Sequence, residues 1–124
     1  MSRTIVAVPS MNPGGMDAEP SGHFGRCELY TIAEIEDDKI VNCSVLDNMP
    51  HVEGGCQAPV KLLAERGVQA LITGCMGMRP FMGFQQAGID VFQGSLNIKV
   101  GDNINAFMEG RLPQFTIASA CGGH

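Results

Sequence analysis

Apolar positions along this chain fall into short runs and alternations, not long stripes. Residues 4–8 (Thr-Ile-Val-Ala-Val) form a β-branched apolar run with the length of a buried strand. The next stretch, 9–26 ("PSMNPGGMDAEPSGHFGR"), holds three prolines and four glycines and reads as a long connection. Connections of that length inside a compact domain are commonly functional. From 27 to 48 the pattern is a hairpin. Leu29, Thr31 and Ala33 alternate with Tyr30, Ile32 and Glu34, Glu36-Asp37-Asp38 make the turn, and a return strand runs from Ile40 to about Leu46. Residues 48–55 are a second connection.

The period then changes. Over 57–67 the residues Val60, Leu62, Leu63 and Ala64 fall on or near one helical face, and Gly67 suits a helix C-cap. Residues 68–73 ("VQALIT") are a continuous apolar strand of the kind buried on both faces. A loop follows at 74–80 ("GCMGMRP"), then a short helix over 80–87 ending at Gly88, a strand over 89–93, and a last helix over 100–109 ending at Gly110. The predicted order is βββαβαβα. The first three strands make an antiparallel meander, and the later strand–helix alternation implies parallel pairing through right-handed crossovers. The expected fold class is α/β, a mixed sheet with helices packed on it and a topology similar to ribonuclease H. No repeat or linker divides the chain, so residues 1–112 read as one domain and 113–124 as a tail ending Cys-Gly-Gly-His.

Composition narrows the function. A chain of 124 residues with 44% hydrophobic content can bury a core without disulfide staples. Charged residues are 17%, the net charge is −5, and the eight Lys/Arg are scattered, which argues against nucleic acid as a partner. No apolar run has membrane-spanning length. The N-terminus enters an apolar strand at once without a signal-peptide core or cleavage site, so the expectation is a cytoplasmic protein.

In that compartment five widely spaced cysteines (Cys27, Cys43, Cys56, Cys75, Cys121) are metal ligands or small buried residues before they are disulfides. For mid-strand Cys43 the expectation is burial. Ligands of open α/β sheets bind beyond the carboxyl ends of the strands. The predicted topology collects there the connections carrying His23, Cys27, His51, Cys56 and Cys75. Cys56 stands at a helix N-terminus, where the macrodipole lowers a thiol pKa. Cys75 directly follows a strand. Gly54, Gly55, Gly74 and Gly77 allow close backbone approach, and their N–H groups suit sulfides or an anionic cluster. Cys121 and His124 add metal-friendly chemistry to the tail. Thiolates favour zinc, copper(I) and iron–sulfur clusters. There is no C-x-x-C pair, no G-x-S-x-G and no complete P-loop, and the first strand lacks the carboxylate that a two-metal nuclease needs.

Four stretches carry a family resemblance: "SGHFGRCELYTIAEIEDDKIV", "HVEGGCQAPVKLLAERGVQALITGCMGMRP", "AGIDVFQG" and "INAFMEGRL". Together, over roughly residues 4–112, they resemble the NifX-like dinitrogenase iron–molybdenum cofactor biosynthesis family. This group includes the C-terminal domain of NifB, the NafY cofactor-binding domain and the small orange proteins of sulfate reducers. The resemblance implies a ribonuclease-H-like fold that binds, carries or scaffolds a metal–sulfur cluster for cofactor assembly, not an enzyme. The implied cargo is an iron–sulfur or heterometal–sulfur cluster, with iron and molybdenum, copper or nickel as candidate metals. The implied partners are cluster donor and acceptor proteins and a second copy of the chain, with no nucleic acid and no membrane. His23 and Arg26 of the His-Phe-Gly-Arg stretch lie near the implied binding face, and Arg26 and Arg79 suit an anionic cluster. Many small members carry glycine or another small residue where Cys56 and Cys75 stand, which favours direct ligation by protein sulfur here. Cys56, Cys75 and Cys27 are the expected primary ligands, with His23, Cys121 and His124 behind them. The rival readings are a thiol-based redox or regulatory module and a metal-free interaction domain on the same fold.

Overall fold

The structure is a computed structural model that describes residues 3–11, 14–21, 29–47, 61, 63–74, 78–95 and 97–115. Its strands are β1 (Arg3–Ser10), β2 (Leu29–Glu36), β3 (Lys39–Asp47), β4 (Ala70–Thr73) and β5 (Asp90–Gln93). A helix α1, described at 61 and 63–65, precedes β4. Helix α2 (Met78–Ala87) joins β4 to β5, and α3 (Val100–Met108) follows β5. The five strands form one mixed sheet in the order β3-β2-β1-β4-β5. β1 is antiparallel to β2, β2 to β3, while β1, β4 and β5 run parallel. The predicted element order and the mixed α/β sheet are both present.

The period-2 pattern sorts the core onto two faces. Ala7, Tyr30, Ile32, Leu71 and Val91 point to one side, where they pack with Leu63 of α1 and Phe81 and Phe84 of α2. Val6, Val8, Ala33, Ile35, Ala70 and Ile72 point to the other, against Val100 and Ile104 of α3. Adjacent residues of β1 and β4 thus serve opposite layers, which is why both strands read as unbroken apolar runs.

All three helices end in the same way. Gly67, Gly88 and Gly110 have φ of 79°, 79° and 74°, the left-handed region that costs glycine little. At each end the glycine N–H donates three residues back and the next residue's N–H five back. These are Gly67 to Ala64 with Val68 to Leu63, Gly88 to Gln85 with Ile89 to Phe84, and Gly110 to Phe107 with Arg111 to Ala106. This is the Schellman arrangement, which satisfies the last helical carbonyls. After α1 and α2 it also drops an apolar residue, Val68 or Ile89, back onto the core as the next strand begins.

Several boundaries differ from the sequence expectation, four of them with a clear physical reason. β1 continues through Pro9 to Ser10, because β2 pairs along its whole length. Helix α2 starts at Met78, not 80, so Arg79 and Pro80 are in its first turn. Proline is tolerated there because first-turn N–H groups have no intrahelical acceptor. The hairpin turn consists of Asp37 and Asp38, with φ of 55° and 63°, between paired Glu36 and Lys39. Two left-handed residues match the twist of the strands they join. Finally, packing runs past 112. Gln93 N–H donates to the Pro113 carbonyl and Phe115 N–H to that of Val91, both at 2.8 Å. Phe115 is buried with its ring 5.4 Å from that of Phe81.

Candidate functional site

Strand register defines one rim of the sheet. Ser10 at the end of β1 pairs with Leu29 at the start of β2, and Leu29 with Asp47 at the end of β3. Thr73 at the end of β4 pairs with Gln93 at the end of β5. Since β1 and β4 are parallel, the chain leaves this same rim after residues 10, 47, 73 and 93 and re-enters it at 29. These are the connections that carry the sequence-predicted ligands. Of those residues, His23, Arg26, Cys27, His51, Gly54, Gly55, Cys56, Cys75, Gly77, Cys121 and His124 lie outside the described residues, as does the side chain of Arg79. Gly74 is described. Its carbonyl accepts a 2.8 Å hydrogen bond from Gln93 Nε2, which fixes the first residue beyond β4 to the end of β5.

The described part of the first connection is built on backbone hydrogen bonds. Met11 N–H donates to the Glu19 carbonyl, Gly14 N–H to that of Met11 and Ala18 N–H to that of Gly15, which brings Glu19 back beside Met11. Pro20 bridges Ser10, and Ser21 N–H donates to the Pro9 carbonyl. Gly14 requires its lack of a side chain twice over, since its φ is 77° and a Cβ would stand 2.7 Å from Leu29 Cδ1. The carbonyls of Ala18 and Met16 accept from the N–H groups of Val100 and Gly101. They satisfy the first orphan donors of α3, whose N-cap residue Lys99 makes no side-chain cap.

The β5–α3 connection is held by a side chain. Asn103 is 1% exposed. Its Oδ1 accepts from Ser95 N–H at 2.9 Å, and its Nδ2 donates to the carbonyls of Ser95 (2.9 Å) and Lys99 (3.2 Å). Gly94 must be small here, because a Cβ would lie 2.6 Å from Ile72 Cγ2 and 2.9 Å from Asn103 Oδ1. Sequence reasoning missed Ser10, Thr31, Gln93 and Asn103. A signal existed for Asn103, which interrupts an apolar stripe of Val100, Ile104 and Phe107 at i, i+3, i+4 and i+7 spacing.

The N-termini of α2 and α3 at this rim differ electrically. α3 carries Asp102 in its first turn and is closed by the Met16 and Ala18 carbonyls of the described part of the first connection, residues 14–21, which forms a strap. α2 has no acidic residue in its first turn, which begins three residues after Cys75. Its partial positive charge suits an anion or thiolate at that position. A cavity of about 340 Å³ beside α3 is lined by Glu19, Asn97, Ile98, Lys99 and Asp102. Its mixed charges and lack of thiols make a poor seat for an anionic cluster. Among the described residues no group of three His, Cys, Asp or Glu side chains could hold a metal ion.

Cys43 corrects the expectation of burial. It is exposed on β3. β3 is an edge strand, and the helices cover the sheet nearer β1, β4 and β5, so mid-strand position does not bring burial. Partial desolvation nevertheless pushes its thiol pKa up. A raised pKa means less thiolate at neutral pH and a weaker nucleophile. Site-resolved alkylation by iodoacetamide is expected to be slower at Cys43 than at a free cysteine at neutral pH, with its midpoint displaced upward. A midpoint below the free-thiol value would contradict this and revive Cys43 as a sensor.

Among the described residues no helix is long and apolar enough to cross a membrane. The family model described as "Dinitrogenase iron-molybdenum cofactor" matches residues 3–110. An uncharacterised protein of Methanocaldococcus jannaschii is 35% identical over 97 residues, covering 77% of this chain and 81% of its own. The apo form of the orange protein from Desulfovibrio gigas superposes with a TM-score of 0.80 at 25% identity, over 91% of this chain and 93% of that one. A Thermotoga protein described as belonging to the DUF35 family superposes with a TM-score of 0.75 at 30% identity, over 91% and 97% of the two chains.

Proposed function

Because this chain belongs to the dinitrogenase iron–molybdenum cofactor family, we propose that it binds and carries a metal–sulfur cluster for cofactor assembly and performs no turnover of its own. The observation that supports this most is the rim. Four strand ends and one strand start converge there, and the connections leaving it carry Cys27, Cys56 and Cys75 in the sequence. These three thiolates are the proposed ligands, with His23, Cys121 and His124 as further donors. Backbone N–H groups around Gly54, Gly55, Gly74 and Gly77 would face bridging sulfides, and Arg26 and Arg79 would balance the cluster's negative charge. The strand order with antiparallel β2 supports reading the fold as ribonuclease-H-like.

Two or three protein thiolates leave part of a cluster's coordination free. That suits handover to donor and acceptor proteins, or completion of the shell by a second copy of the chain. The first strand offers no carboxylate for two-metal hydrolysis, and the eight Lys/Arg are scattered along the sequence, which argues against nucleic acid as a partner. Such a carrier would work in the cytoplasm, where its thiols stay reduced.

Anaerobic reconstitution with ferrous iron and sulfide, with and without tetrathiomolybdate, tests the reading. A coloured protein with iron and sulfide bound in fixed ratio, retained through gel filtration, is the expected result. A colourless protein that retains no metal would overturn it in favour of a metal-free interaction domain.

A further inference from the structure

Two buried hydroxyls beneath the rim form a chain in which every proton has one place. Ser10 and Thr31 are each 0% exposed. Ser10 Oγ lies 2.7 Å from the Val8 carbonyl oxygen and 2.8 Å from Thr31 Oγ1, and Gly15 N–H donates to Thr31 Oγ1 at 3.0 Å. A carbonyl only accepts, so the single Ser10 proton goes to Val8. Thr31 must then donate to Ser10, while it accepts from Gly15. The direction is Gly15 N–H to Thr31 O–H to Ser10 O–H to the Val8 carbonyl, with no donor left over.

This chain joins three separate pieces: β1 through Ser10, β2 through Thr31, and the strap through Gly15. Through Met16 and Ala18 the strap in turn closes the N-terminus of α3. Ser10 also stands at the foot of the connection that carries His23, Arg26 and Cys27. Pro20 bridges it on one side and Leu29 pairs with it on the other, so that stretch leaves and returns beside one residue. Neither hydroxyl faces solvent, and the sheet ladder does not need them. Valine would fit Thr31's β-branched shape and its place in β2 equally well.

We infer that the Ser10–Thr31 hydroxyl chain is a positioning device for the cluster-binding rim: it holds the strap in register with the sheet at the end of β1, where the first rim connection leaves. The inference rests on the cluster-carrier reading above. Ser10 and Thr31 are positioning residues and touch no cluster atom themselves.

Thr31→Val and Thr31→Ser separate the hydroxyl from its shape. Two quantities are read on the whole chain: the exchange rate of the Gly15 amide, and the rate at which protein reconstituted with ferrous iron and sulfide loses iron to a chelator. Thr31→Val is expected to speed both by roughly ten-fold, the loss of about one buried hydrogen bond. Thr31→Ser, which keeps the hydroxyl, is expected to stay near wild type in both. Thermal unfolding of each apo protein shows whether a variant has simply failed to fold, and Ser10→Ala then serves as the second cut in the chain. Faster Gly15 exchange with unchanged iron loss overturns the positioning role, since the chain would then be structural only. Thr31→Val indistinguishable from wild type in both readouts overturns it as well. A wild-type protein that takes up no iron overturns the carrier reading and the positioning role together, and is told apart by that control.

Discussion

Replacing Cys56 and Cys75 together by serine is expected to abolish metal–sulfur loading while leaving the apo fold intact. Thiolates are the soft donors that iron–sulfur and heterometal–sulfur clusters select, and a serine hydroxyl remains protonated at neutral pH. Even residues that only support a metal ligand change affinity by roughly 10–100-fold when replaced, so losing two proposed ligands should exceed about 100-fold. The pair also has a topological argument. Cys75 is two residues beyond the end of β4, and Cys56 lies in the connection that leaves the end of β3. Both connections start from the same rim. Anaerobic reconstitution, iron and sulfide analysis and the visible spectrum provide the measurement, with circular dichroism of the apo proteins as the control for folding. Single variants should retain partial loading. A double variant that loads like wild type would remove both thiols from the site and leave the glycine N–H groups, the arginines and Cys27 as its binding elements.

Asn103→Ala is expected to destabilise the protein by about 2–3 kcal/mol, because Ser95 would lose the partner of both its N–H and its carbonyl in a partly buried setting. The variant also leaves a small void beside Gly94 and Ile72, which the close contacts there cannot readily fill. For a chain of this size that corresponds to a fall in melting temperature of roughly 10 °C. The third partner, the Lys99 carbonyl, also accepts from Asn103 N–H, so the backbone bond survives the substitution. The loss should therefore concentrate in the 94–99 connection, visible as faster amide exchange at Ser95 than within α3. A melting temperature within two or three degrees of wild type would show that water replaces the amide at little cost.

The two effects belong to different layers of the molecule. The proposed cysteine ligands would act on cargo, whereas Asn103 acts on the scaffold of the 94–99 connection. Gln93 has a similar scaffolding part through the Gly74 carbonyl, next to Cys75 in sequence. The rim is thus braced at several points by polar side chains that make local backbone hydrogen bonds. Rigid strand ends are the right place for such bracing, since cluster ligation tolerates little displacement of its donors.

The sequence by itself determined the order of elements, the ends of the helices and the location of the rim. Period-2 and period-3.6 patterns are local properties, and so is the preference of Gly67, Gly88 and Gly110 for left-handed φ, so each was legible without knowing what packs where. Given the order, the rule that ligands bind beyond strand ends placed the candidate connections on one side of the sheet, and the observed register agrees. Tertiary structure alone decided the rest. Cys43 is exposed because β3 ends the sheet, a fact about neighbours that no alternation within β3 records. Ser10 and Thr31 meet across 21 residues of chain, and the strap meets α3 across more than 80, so nothing local marks these polar groups as partners. A buried polar group must find a partner wherever the fold brings one. Local pattern therefore determines the elements and their ends, and the long-range meeting of strands, strap and helix determines which faces are covered and which buried polar groups brace the rim.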